Sequence, residues 1–152
     1  MKTYKENADP VEKNHGQRVL IIDDDAASLG VISDFLEDSG FVVLVARNGE
    51  RGIERARYAR PDIIFLDILM PGIDGFETCR RLKSDPITAN IPVIFMTSLT
   101  DTEDKVKGFE AGAVDYVTKP FQSKDVLSRT RMQLRLSAHT QEFRHKSNKA
   151  DR

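Results

Sequence analysis

The chain has 152 residues, enough for one domain of ordinary size, and 41 of them are Leu, Ile, Val or Phe. Nearly all of these apolar residues fall between positions 17 and 136, so a core can form there between two polar segments. No apolar run approaches the ~18 residues of a membrane span, and the N-terminal segment lacks the apolar stretch of a signal peptide. The single cysteine excludes an internal disulfide and a cysteine-based zinc site, which favours a reducing, cytoplasmic location.

The net charge of −1 conceals an uneven distribution of charged side chains. Residues 17–127 carry 13 basic and 19 acidic side chains, whereas residues 128–152 carry seven basic and two acidic ones. An acidic body argues against nucleic-acid binding by the folded domain itself. The predicted organisation is a flexible N-terminal arm (1–16), a folded domain (17–136) and a basic C-terminal linker or tail (137–152).

The apolar pattern alternates along the chain between short β-branched runs and stretches with helical spacing. The short runs predict strands buried on both faces, at Arg18–Ile22, Phe41–Ala46, Ile63–Leu66, Pro92–Met96 and Asp115–Thr118. The helical spacing predicts a helix after each strand, around Leu29–Leu36 and at Gly49–Tyr58, Gly75–Lys83, Asp101–Ala111 and Ser123–Leu136. The segment beyond Leu136 is predicted to be either a helical extension or a solvated linker.

Five strands alternating with five helices predict an α/β fold with helices on both faces of a parallel sheet. A single domain of this size and right-handed crossovers leave few topologies. We expect a flavodoxin-like, doubly wound (βα)5 domain with a five-stranded parallel sheet in the order 2-1-3-4-5.

Polar side chains follow the predicted strands at the edge where open α/β sheets bind ligands. The strand ends supply acids, hydroxyls and a lysine, namely Asp23, Asp24, Asp67, Thr97, Ser98 and Lys119. Because the first and third strands are neighbours in the predicted order, the three carboxylates should converge, with Thr97 and Lys119 facing them. A single strand-end acid is most simply a solvated loop residue, but this combination at one edge favours a binding site.

The residue types at this edge indicate which chemistry the site can perform. Clustered carboxylates repel one another, and a hard divalent cation such as Mg²⁺ relieves that repulsion. A lysine and a hydroxyl opposite such a cluster suit a tetrahedral dianion such as a phosphoryl group. No P-loop or GxGxxG stretch is present, and all three histidines lie in the polar segments, so a carboxylate is the expected phosphoryl acceptor. Asp67 is the best candidate because it lies centrally between metal and lysine.

Four segments resemble the response regulator receiver domain of two-component signal transduction: Val19–Asp25, Leu66–Gly75, Pro92–Ser98 and Gly112–Phe121. The resemblance covers Arg18 to Leu136. It implies a phosphoprotein that accepts a phosphoryl group from a sensor histidine kinase, or from a phosphotransfer protein, onto Asp67 in a Mg²⁺-dependent reaction. It also implies a conformational switch that controls an output partner or domain. Such a module catalyses its own phosphorylation and dephosphorylation and is not an enzyme acting on a separate substrate.

The resemblance also implies a role for each residue of the site. Asp24 and Asp67 would bind Mg²⁺ through their carboxylates, Leu69 through its backbone carbonyl and Asp23 through a bound water. Three groups would contact the phosphoryl oxygens: the Lys119 ammonium, the Thr97 hydroxyl and the backbone N–H of Ser98.

A further set of expectations from the resemblance concerns the switch. Thr97 would move onto the phosphoryl group, and Tyr116 would turn inward into the vacated space, changing the surface of the fourth and fifth helices. A homodimer through those two helices and a cis peptide bond before Pro120 are also expected.

Three alternatives remain open from the residues. The chain could be a receiver module cut from a longer protein, such as a hybrid histidine kinase or a cyclase-type regulator. A Mg²⁺-dependent phosphatase of similar topology would need a second acid two residues after its nucleophile, where this chain has Leu69. An interaction domain that keeps only the fold would not require the complete set of acids, hydroxyl and lysine.

Overall fold

A computed structural model describes residues 16–98 and 102–150, in which strands and helices alternate from end to end. The strands are β1 (Arg18–Ile22), β2 (Val42–Ala46), β3 (Ile63–Asp67), β4 (Val93–Thr97) and β5 (Asp115–Thr118). The helices are α1 (Ala26–Asp38), α2 (Gly49–Ala59), α3 (Gly75–Ser84), α4 (Thr102–Ala111) and α5 (Ser123–Ala150). All strand pairs are parallel and the sheet order is β2-β1-β3-β4-β5, which confirms the predicted flavodoxin-like fold.

The strands are apolar on both faces because each face of the sheet is covered by helices. Leu20, Ile22 and Leu66 belong to the apolar layer on one face, and Ile21 and Phe65 belong to the layer on the other. All five side chains are completely buried. This two-sided burial explains why the sequence shows continuous apolar runs instead of alternation.

The pairing of the central strands determines where the strand-end side chains lie. Ile22 near the end of β1 is opposite Leu66 in β3, and Asp67 is opposite Met96 in β4. The residues that follow β1, β3 and β4 therefore emerge together at the carboxyl edge of the sheet.

The last helix is longer than its predicted core-packing part. Val126 and Thr130 are completely buried against the sheet, and α5 then continues past Leu136 to Ala150. Of the two interpretations left open for this segment, the structure has the helical extension.

Some sequence predictions fall on residues outside the described ranges. The predicted N-terminal arm lies there apart from Gly16, as does Asp101, the predicted first residue of the fourth helix. Within the described ranges, no helix has both the length and the apolar character needed to cross a membrane.

Candidate functional site

Three carboxylates converge at the carboxyl edge of β1 and β3. Asp23 and Asp24 follow β1, Asp67 ends β3, and one oxygen from each lies within 4.8 Å of the others. The parallel pairing of β1 with β3 brings about this proximity across more than 40 residues of sequence. The structure therefore brings together the three acids that the sequence analysis selected.

Lys119, which follows β5, extends its ammonium group into this cluster. Its Nζ lies 3.0 Å from Asp23 Oδ2 and 3.4 Å from Asp67 Oδ1. The backbone N–H of Lys119 donates to the Thr97 carbonyl at 2.9 Å, and the Lys119–Pro120 peptide bond is cis. Because Asp23 is completely buried and Asp67 is 6% exposed, one ammonium faces two carboxylates that have little access to water.

The third of the consecutive aspartates, Asp25, has a different role from its two neighbours. Its side chain accepts hydrogen bonds from Ala27 N and Ser28 Oγ, which caps the start of α1. Its backbone N–H donates to Asp23 Oδ1 at 2.9 Å, so the capping turn also orients the buried Asp23 carboxylate. The Ser28 hydroxyl, followed by the Ala27 N–H, lowers the pKa of Asp25, as expected for a capping carboxylate.

Gly75, the first residue of α3, packs directly against the backbone of the predicted phosphoryl acceptor. Its N–H donates to the Ile68 carbonyl at 2.8 Å, and a Cβ at this position would lie 2.4 Å from the Asp67 carbonyl oxygen. Only glycine allows this approach, so Gly75 holds the Asp67–Ile68 peptide in place. No role for Gly75 was predicted from the sequence; its place at the start of the predicted third helix, eight residues after Asp67, was the available signal.

The loop between Asp67 and Gly75 contains the third proposed ligand of the cation. Leu69 lies two residues after Asp67, and its side chain is 61% exposed. The role of its backbone carbonyl stays a prediction. The exposed leucine side chain offers no acid or base for turnover chemistry at this position.

The remaining predicted residues lie on the neighbouring strands. Thr97 is buried at the end of β4, and Ser98 follows it in an exposed position. Tyr116 lies on β5 opposite Phe95, with its ring turned inward and 8% exposed. The inward position that the resemblance assigns to the switched state is thus the one present in the structure.

The electrostatics of the cluster reflect its burial and its excess of negative charge. The pKa of Asp67 is raised to about 6, mainly by burial and next by the negative charge of Asp23, while the Lys119 ammonium lowers it in part. Burial alone would lower the pKa of Lys119, but its hydrogen bond to Asp23 and the charge of Asp67 raise it overall. Hard oxygen donors with excess negative charge are a donor set that fits Mg²⁺, and all three clustered side chains are aspartates.

The raised pKa of Asp67 predicts how stability depends on pH when divalent cations are chelated. Unfolding returns the pKa of Asp67 toward 3.8, so the folded state binds the carboxyl proton of Asp67 more tightly than the unfolded state does. Proton binding therefore stabilises the folded state. This stabilisation is complete below pH 4 and is lost as the pH rises through about 6. The loss should be on the order of 2–3 kcal/mol. Urea unfolding at several pH values should show Asp67→Asn gaining stability relative to wild type between pH 4 and 7. A pH-independent difference between the two proteins would contradict this expectation.

Comparisons with known proteins agree with this geometry. The family model described as the response regulator receiver domain matches residues 19–131. The DNA-binding dual master transcriptional regulator RpaA of Synechocystis sp. (strain PCC 6803) is 46% identical over 118 residues, which are 78% of this chain and 49% of that protein. The chain therefore spans about half the length of this curated relative.

Solved structures of similar chains have the same fold. The receiver domain of the Francisella response regulator 1452 superposes with a TM-score of 0.74 at 30% identity, covering 80% of this chain and 99% of that one. The receiver domain of the sensor histidine kinase PA1611 from Pseudomonas aeruginosa PAO1, a structure with a magnesium ion coordinated in its active-site cleft, has a TM-score of 0.72 at 27% identity. That match covers 78% of this chain and 97% of that one. From the family match and the sequence relatives together, the chain belongs to the response regulator receiver domain family.

Proposed function

We propose that this chain accepts a phosphoryl group from a sensor histidine kinase or a phosphotransfer protein onto Asp67, in a Mg²⁺-dependent reaction. The resulting acyl phosphate changes the surface of α4 and α5 and thereby controls an output partner or domain. The observation that carries this proposal is the position of the Asp67 carboxylate, grouped with Asp23 and Asp24 and 3.4 Å from the Lys119 ammonium.

In this proposal the acidic cluster holds the cation. Asp24 and Asp67 bind Mg²⁺ through carboxylate oxygens, the Leu69 carbonyl is a third ligand, and Asp23 acts through a bound water. When bound, Mg²⁺ would offset the negative charge of the phosphoryl oxygens. The donor set of this chain and the magnesium ion in the PA1611 receiver domain support the assignment.

The transfer step exchanges one bond to phosphorus for another. A carboxylate oxygen of Asp67 attacks the phosphorus of the donor phosphohistidine, and the P–N bond breaks with its electron pair passing to the departing imidazole nitrogen, which takes up a proton. Lys119 contacts one phosphoryl oxygen, and the Thr97 hydroxyl and the Ser98 N–H donate to the others. These groups stabilise charge where it develops, so catalysis depends on positioning and electrostatics.

Contacts to the phosphoryl group of the acyl phosphate can provide enough free energy to operate a switch. A phosphoryl group adds about 1.5 to 2 negative charges. Hydrogen bonds to charged groups contribute about 1.5–3 kcal/mol each, and shifting a two-state equilibrium from 1:99 to 99:1 requires about 5.5 kcal/mol. The three contacts from Lys119, Thr97 and Ser98 together can therefore supply the free energy that this shift requires. Thr97 and Tyr116 are the side chains that transmit the change to α4.

The domain boundaries and partners belong to the same proposal. Residues 17–136 form the receiver domain, and 137–152 form a basic linker that carries the signal onward. Copies of the chain pair through α4 and α5, the acidic domain itself does not contact nucleic acid, and the protein acts in the cytoplasm beside its kinase. The longer relative RpaA is a DNA-binding regulator, and we assign any such activity to segments beyond the receiver domain.

Incubation with a small acyl phosphate, with and without Mg²⁺, tests the proposed function. Intact-mass measurement should show one phosphoryl group per chain with Mg²⁺ and at least about a tenfold slower reaction with a chelator. Hydroxylamine, which cleaves acyl phosphates, should remove the label. Continuous release of phosphate without accumulated label would favour the phosphatase alternative, and no reaction would favour an interaction domain that keeps only the fold.

A further inference from the structure

The hydroxyl group of Tyr116 lies against the backbone of α4, opposite a glycine. Tyr116 Oη is 2.7 Å from the Lys105 carbonyl oxygen and 3.0 Å from the Asp104 carbonyl oxygen, so it donates a hydrogen bond into the first turns of α4. A Cβ built on Gly108 would lie 2.0 Å from Tyr116 Oη and 2.9 Å from the ring of Phe95. No side chain at position 108 fits beside the inward tyrosine.

Gly108 also lies where α4 crosses a row of aromatic rings. The ring centroids are 5.6 Å apart for Phe76 and Phe95, 5.8 Å apart for Phe95 and Tyr116, and 5.2 Å apart for Tyr116 and Phe109. The row begins at α3, beside the Gly75 contact with the Asp67 backbone, and ends at the exposed ring of Phe109 on α4. It thus connects the surroundings of the phosphoryl acceptor to the outer face of α4.

We propose that Gly108 is a positioning residue that admits the Tyr116 ring to its inward site and so couples the acceptor edge of the sheet to α4. The coupling part of this inference rests on the proposed function, whereas the placement of the ring does not. With alanine at position 108, the tyrosine turns outward, because its hydroxyl is the far end of a side chain that rotates about two bonds. The hydrogen bonds to the carbonyls of α4 are then lost.

A second glycine provides a matched control for the change in helix propensity. Glycine weakens a helix interior relative to alanine, so Gly108→Ala would by itself strengthen α4. Gly30 lies inside α1, and a Cβ there would have no atom within 4 Å. Gly30→Ala therefore gains helix propensity without meeting a neighbour. Both variants gain helix propensity, but only Gly108→Ala places a methyl group against Tyr116.

The ring position can be measured in the full chain with tyrosine labelled by ¹³C in the ring. The chain has three tyrosines, and Tyr116→Phe identifies the signal of Tyr116. A soluble paramagnetic agent should relax Tyr58, which is 92% exposed, strongly and Tyr116 weakly. In Gly108→Ala the relaxation of Tyr116 should rise several-fold toward that of Tyr58, and in Gly30→Ala it should stay low. A protected Tyr116 in Gly108→Ala, or equal relaxation in both variants, would overturn the inference.

The coupling is tested by adding a small acyl phosphate and Mg²⁺ to the same proteins. Gly108→Ala should take up the phosphoryl group as wild type does, but hydrogen exchange in α4 should no longer change on labelling. If wild type takes up no label, the proposed function fails while the ring measurement still decides the role of Gly108. If labelled Gly108→Ala shows the wild-type change in α4, the coupling role of Gly108 fails and the proposed function stands.

A stability comparison covers the case in which Gly108→Ala folds poorly. In the wild-type background, Gly108→Ala should lower the urea concentration at the unfolding midpoint. In a Tyr116→Ala background, which lacks the ring, the same substitution should lower that midpoint much less. Equal decreases in the two backgrounds would show that the conflict is with Phe95 or another neighbour and not with Tyr116, and would overturn the inference.

Discussion

Asp67→Asn is expected to abolish phosphoryl incorporation from a small acyl phosphate in the presence of Mg²⁺. The amide has the same shape as the carboxylate but no anionic oxygen that can attack phosphorus, and it is a weaker ligand for a hard cation. The fold should survive, because the substitution removes one of two carboxylates that repel each other beside Lys119. Loss of label in a folded protein therefore reports on chemistry.

The control for this prediction is an aspartate outside the cluster. Asp34 lies on α1 and is exposed, so Asp34→Asn makes the same chemical change without altering the acceptor site. Intact-mass analysis should find full incorporation in Asp34→Asn and background incorporation in Asp67→Asn. Wild-type incorporation in Asp67→Asn, with the label mapped to another residue, would contradict the assignment of Asp67 as the acceptor.

Lys119→Met is expected to destabilise the metal-free protein by about 2 kcal/mol. Removing one partner of a fully buried ion pair leaves an uncompensated charge and costs about 3–5 kcal/mol. The effect should be smaller here because the Lys119 side chain is 20% exposed and solvent reaches part of the site. The pKa of Asp67 should rise further, since the Lys119 charge that lowers it is gone. Added Mg²⁺ should restore part of the stability.

Urea unfolding in chelator and in Mg²⁺ measures this effect. Lys124→Met is the matched control, because Lys124 is an exposed lysine on the first turn of α5, whereas the ion pairs with Asp23 and Asp67 are made by Lys119. The double variant Lys119→Met/Asp67→Asn should lose less than Lys119→Met alone, since only Asp23 then remains beside the methionine. Equal losses for Lys119→Met and Lys124→Met would show that the ion pairs in the cluster contribute nothing to folding.

The fold and the membership of the acidic cluster could be predicted because both follow from local patterns and a topological rule. Apolar runs marked all five strands, and parallel strands present their carboxyl ends at one edge, so Asp23, Asp67 and Lys119 had to emerge near one another. The different roles of the three consecutive aspartates were harder to predict from the sequence. Asp25 caps α1, and this is visible only once the helix start and the Ser28 contact are placed.

The sequence by itself determined where the strands lie along the chain and the chemical character of the site. The reason is that strand burial and strand-end acids depend on residue type and position along the chain. Only the tertiary structure decided the close approaches. Gly75 against the Asp67 backbone and Gly108 against Tyr116 are contacts between a helix and the strand next to it in the chain, and both depend on how closely that helix packs on the sheet. A glycine has no side chain that could contribute to an apolar or polar pattern, so the sequence does not predict such a contact. The need for glycine is seen only in the tertiary structure, where neighbouring atoms occupy the space that a Cβ would fill.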